Sequence, residues 1–135
     1  MSASHRQSWF LTALLVGVVY FLIGKLFALP TDHVRAWRLA AWIASGAVYT
    51  AHMGYEYFRL GNSPRSTALH AAAAVAIGAF GLALAATVHS WFVPSSSQPW
   101  QFLLALVVWP AVSALPAFLV AYVAVAVLAR LRPRL

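Results

Sequence analysis

The stretch WFLTALLVGVVYFLIG, Trp9 to Gly24, decides the fold. It carries no charged residue. With its continuation to Ala28 it supplies the roughly 20 apolar residues that a helix needs to cross a bilayer's hydrocarbon. Arg6 precedes it, as a basic residue precedes the core of a secretory leader, but the run is too long for a leader and lacks a clean small-x-small cleavage site. It therefore reads as a true span. The composition agrees: of 135 residues 63% are hydrophobic and 8% charged, and the mean hydropathy is +0.80. Soluble domains carry about 25% charged residues, and two acids with nine bases cannot cover a water-facing surface. Disorder is excluded by the same arithmetic, because disordered chains are polar and poor in aromatics. The absence of cysteine removes disulfides, thiolate metal sites and cysteine nucleophiles.

Working outward from that run, the spacing predicts an all-α polytopic membrane protein, a bundle of four transmembrane helices in a single domain, 1–135. The spans are expected at about 9–29, 34–60, 67–92 and 100–131. Pro30 ends the first, and Thr31 or Asp32 is placed to cap the second. Aromatic and basic residues flank the second run at both ends, Arg35, Trp37 and Arg38 at one and Tyr55, Tyr57 and Arg59 at the other, as headgroup zones select. Gly61-Asn62-Ser63-Pro64 stops it, since glycine accepts a left-handed cap and proline cannot continue a helix. Ser63 or Ser66 can then cap the third helix. Ala71, Ala74, Gly78, Gly81 and Ala85 give that helix a smooth face suited to close packing in lipid, so it should be the most enclosed. VPSSSQP, Val93 to Pro99, is an uncharged loop. The fourth run contains Pro110 and Pro116, which call for a tilt, a kink or a break into half-helices with Ser113 satisfying a freed carbonyl.

The basic residues set an orientation. Arg6, Arg59, Arg65, Arg130, Arg132 and Arg134 share one side of a four-span bundle, against Lys25, Arg35 and Arg38 on the other. Both termini are therefore expected in the cytoplasm, in a bacterial inner membrane. Lys25 is placed to snorkel. The +7 charge thus marks span ends and lipid headgroups rather than nucleic acid. Gly17, Gly24 and the alanine faces invite a homodimer or membership of a larger membrane complex.

One stretch does not fit that accounting. Steps of three and four along the second helix put Ser45, Tyr49, His52, Glu56 and Arg59 on one stripe, and His70 lies opposite on the antiparallel third helix. Ionisable groups in a span cost several kcal/mol on insertion scales, so they invite a functional reading. Tyr49, His52, Glu56 and His70 are the candidate ligand contacts, and His52 and Glu56, four residues apart on one face, the candidate catalytic pair. A structural reading stands beside it: Glu56 lies about one turn from the helix end, where it can pair with Arg59 or Arg65 as an anchor, and His52 can be packing glue.

No cofactor is called for; haem b or a metal at His52 and His70 is the alternative that the histidines leave open. For haem, His33 and His89 would form a second layer, but 19 residues along a helix turn the second imidazole by about 100° from the first. No nucleophile elbow, P-loop or pair of acids for sugar chemistry is present. The His-x-x-x-Glu pair of His52 and Glu56 resembles the catalytic pair of sterol-isomerase-type four-helix membrane proteins, where it relays a proton. The likeness covers those two residues, and the third and fourth spans lack the further acids such proteins use. The expectation is a transport or small-molecule or lipid-binding module with a protonatable polar site between helices two and three. A structural accessory subunit and an intramembrane enzyme with a His/Glu relay on a lipid-soluble substrate are the alternatives.

Overall fold

The computed structural model describes residues 3–93 and 98–131. Four helices follow in order: α1 (Ala3–Leu26), α2 (Val34–Gly54), α3 (Pro64–Phe92) and α4 (Pro99–Leu131), with a π-helical turn, Tyr55–Arg59, continuing α2. The fold is all-helical among the described residues. Three segments, Ser8–Leu26, Pro64–Phe92 and Pro99–Leu131, are long and apolar enough to cross a membrane. The fold is thus that of an integral membrane protein. α2 falls short of the same standard, because Arg35 and Arg38 sit near its start and Ser45, Gly46, Tyr49, Thr50 and His52 dilute its apolar surface.

The helix ends depart from the expected caps at α2 and follow them at α3. Neither Thr31 nor Asp32 caps α2; His33 does, in a left-handed conformation (φ 54°, ψ 39°) and without a side-chain bond. Its carbonyl accepts from the N–H groups of Ala36 and Trp37 at 2.9 and 3.2 Å, which starts the helix after the turn and leaves Asp32 outside it. Gly61 adopts the left-handed φ of 65° that the stop signal required. Ser63 caps α3, its Oγ accepting from the N–H of Ser66 at 3.2 Å, with Pro64 as the first helical residue. That places the start of α3 three residues before the expected Thr67. α1 likewise starts earlier, at Ala3. α4 runs unbroken through Pro110 and Pro116, so it is not divided into half-helices, and Ser113 bonds no carbonyl among the described residues. Most of the Val93–Pro99 loop, and Arg132 and Arg134, lie outside the described residues.

The core is built from small residues. Ala13, Ala68, Ala71, Ala74 and Ala121 are fully buried, whereas Leu15, Trp42, Val107 and Leu115 are largely exposed. That arrangement would aggregate in water. In lipid it is expected, because tails solvate leucine as well as a protein interior does and helices associate by close backbone approach. α3 is the central helix, packing along α4 on one side and α1 on the other, while α2 touches α1 and α3 more sparingly. The α1–α3 contact is glycine-mediated: a Cβ added at Gly17 would lie 2.6 Å from the Ile77 side chain, and one at Gly78 would lie 2.7 Å from Tyr20 Cβ and 3.1 Å from the Gly17 carbonyl oxygen. Gly24 meets Leu82 in the same way. Gly17 and Gly24 are therefore used within the chain and are not surfaces left open for a partner.

Two alanine substitutions should separate these roles. Gly78→Ala forces backbone apart and should cost about 1–3 kcal/mol, lowering the melting temperature in detergent. Gly46→Ala, whose Cβ meets nothing within 4 Å, should be neutral or stabilising by about 0.5–1 kcal/mol. Equal melting temperatures for both variants would contradict this packing.

Candidate functional site

The polar stripe of α2 divides into two places. Its lower part closes around Glu56, which is fully buried. Glu56 sits in the π-helical turn, where the N–H of Leu60 bonds the Tyr55 carbonyl at 3.2 Å, one residue beyond the α-helical partner. Such turns re-aim side chains relative to the helix that precedes them. The chain then folds back on Glu56: Asn62 donates its backbone N–H to the Glu56 carbonyl at 3.2 Å and its side-chain amide to Oε2. His70 of α3 brings Nδ1 to 2.8 Å from the same Oε2. His52 Nε2 lies 3.6 Å from Oε1, within ion-pair reach but beyond a hydrogen bond. The indole of Trp9 on α1 stacks on the His70 ring at 4.7 Å and 4°. Five segments therefore converge on one carboxylate: α1, α2, the turn, the loop after it and α3.

Several expectations are corrected by this geometry. Glu56 does not sit at the surface paired with Arg59 or Arg65; both arginines are exposed, and its partners are imidazole and amide groups. The sequence distance hides Asn62, which reaches Glu56 only because Gly61 reverses the chain, and the Gly-Asn-Ser-Pro signal was legible only as a helix stop. Trp9 reads as the start of a span, with nothing to pair it to His70. His52 and His70 both approach Glu56, whose two carboxylate oxygens lie 3.6 Å from one imidazole and 2.8 Å from the other. Among the described residues no group of three or more His, Asp or Glu side chains is arranged to hold a metal ion. His33 and His89, the second histidine layer, are exposed at helix ends.

The upper part of the stripe faces elsewhere. Tyr49 does not join Glu56; its hydroxyl donates to the Ala117 carbonyl of α4. Tyr49 and Ser45 line a cavity of about 650 Å³ between α2 and the layer formed by α1, α3 and α4. Its wall is mostly apolar, with Trp42 on α2 and Trp109 on α4, and its polar side chains are hydroxyls: Tyr20, Ser45, Tyr49 and Ser113. None of His52, Glu56 and His70 reaches it. Seven residues separate Tyr49 from Glu56, about 10 Å along a helix. The cavity exists because α2 leans on the other helices at few points, through the Glu56 cluster and the Tyr49 bond, and its small residues Ala41, Ser45 and Gly46 leave the space unfilled.

Compared with protein-family models, curated proteins and solved structures, the chain matches none.

The Glu56 cluster should act as one unit. Glu56→Ala leaves the Asn62 amide and the His70 imidazole without their acceptor in a dry site, at an expected cost of about 2–4 kcal/mol. A thermal-unfolding double-mutant cycle of Glu56→Ala with His70→Ala should give a coupling of about 1–3 kcal/mol. Strictly additive effects would mean that the pair does not interact.

Proposed function

We propose that the protein is a four-span membrane module that binds an apolar, lipid-soluble molecule between α2 and the α1–α3–α4 layer. The observation that carries this reading is the cavity of about 650 Å³, inside the range of about 300–1,000 Å³ typical of small-molecule sites. An unfilled apolar space of that size forfeits packing that the larger residues now facing outward would supply, so an occupant stabilises the fold. The Glu56–His52–His70–Asn62 cluster is the clasp that fixes one end of α2 and thereby the width of the cavity. Its burial and its separation from the cavity favour binding over proton transfer to a substrate. Neutralising the Glu56 carboxylate would weaken the clasp and loosen α2, which gives the module a route to couple release or transport to pH.

In this reading α2 crosses the bilayer despite its polar stripe, because that stripe faces the clasp and the cavity. The distribution of basic residues then favours both termini in the cytoplasm, the arrangement expected in a bacterial inner membrane.

Gly46 lines the cavity and a Cβ added there meets no atom within 4 Å, so Gly46→Phe should project into the space without unfolding the helix. In nanodiscs the wild-type protein should bind an apolar fluorescent dye, and Gly46→Phe should lower that affinity about tenfold or more. Equal affinities would sink the binding reading. The topology has its own test, made simple by the absence of native cysteine. Thr31→Cys and Ser63→Cys in intact cells should react with an impermeant maleimide from opposite faces, Thr31→Cys without permeabilisation and Ser63→Cys only after it. Labelling of both from one face would show that α2 does not cross.

A further inference from the structure

Hydroxyl groups in a bilayer have a cheap local partner, the carbonyl three or four residues earlier in their own helix. Among the described residues, four bonds of this kind are seen. Thr12 donates to the Ser8 carbonyl at 3.0 Å, Thr50 to Gly46 at 2.9 Å, Thr87 to Ala83 at 2.8 Å and Ser90 to Thr87 at 2.7 Å. The hydroxyls that line the cavity behave differently. Ser45 on α2 and Ser113 on α4 make no hydrogen bond among the described residues, whereas the Tyr20 hydroxyl on α1, also without a partner, is buried away from the space. Two helices thus bring two uncommitted hydroxyls to one apolar space. α4 adds an acceptor: Pro116 has no N–H to offer, so the carbonyl of Val112, itself a lining residue, lacks its helical donor.

The wall carries no charged side chain. An ionic headgroup inside it would be desolvated with no counter-charge, which costs far more than hydroxyls return. A pure hydrocarbon would leave the hydroxyls and the Val112 carbonyl unsatisfied. We infer that the cavity takes an uncharged lipid bearing a single hydroxyl or carbonyl group, and that Ser45 and Ser113 recognise that group. The inference rests on the binding reading above and specifies its ligand. A hydroxyl satisfies both sides, donating to a carbonyl and accepting from a serine; a ketone accepts only.

The test compares two probes of equal length, tritiated 1-octadecanol and tritiated octadecane, by scintillation proximity on protein in nanodiscs, with Gly46→Phe as the blank for bulk partitioning. The wild type should hold the alcohol about tenfold more tightly than the alkane, the difference one or two hydrogen bonds make. The double variant Ser45→Ala/Ser113→Ala should bring that ratio well down towards one. An alcohol-to-alkane ratio near one in the wild type, or a preference undiminished in the double variant, overturns the hydroxyl assignment while the cavity still binds. Failure of both probes to exceed the blank removes the binding reading, and the ligand class with it.

Discussion

The carboxylate of Glu56 is the point on which the rest of the structure depends. A buried charge is tolerated only when donors surround it. Here the donors to Oε2 arrive from places far apart in the chain, Asn62 after the reversal at Gly61 and His70 on α3, while His52, one turn before, stands 3.6 Å from Oε1, which has no hydrogen-bond partner. Holding that one oxygen therefore fixes the connection between α2 and α3, the path of the loop and, through the stack of Trp9 on His70, the end of α1. Few other contacts hold α2. The cavity is the consequence, a helix pinned at one end by polar chemistry and kept off its neighbours further along by small residues and a tyrosine bridge to α4.

The α1–α3–α4 layer is held by a different physics. Glycine and alanine let backbones approach until a single methyl at Gly17 or Gly78 would collide with the next helix. Large apolar residues are turned outward, where lipid accepts them. The layer is thus closely packed through small residues, and α2 is loosely packed and polar. In the binding reading proposed above, a closely packed wall opposite a lightly held helix would let the site open sideways to the bilayer.

Much of this was legible before any coordinates. The helix count followed from apolar runs, the central place of α3 from its alanine and glycine face, and the meeting of His52, Glu56 and His70 from helical steps and antiparallel pairing. Asn62 and Trp9 were not legible as partners of that cluster, because their roles depend on a left-handed turn at Gly61 and on the lateral offset between α1 and α3, neither of which leaves a periodic trace. Tyr49 was assigned to the wrong neighbour for a related reason. Residues on one helical stripe share a face, yet the face can meet different helices at different depths, and the π-helical turn shifts its lower part relative to the upper. The capping role of His33 was hidden behind two better capping residues, Thr31 and Asp32. The cavity was the least legible feature, since a space left between helices is a property of what fails to touch.

A crystal structure grown from a lipidic mesophase tests the central claim most directly. The account predicts continuous non-protein density between α2 and the α1–α3–α4 layer, bounded by Ser45 and Ser113, with Glu56 in contact with His70 and Asn62. An α2 packed flush against α4, with the space closed and Glu56 turned out to solvent, would contradict it.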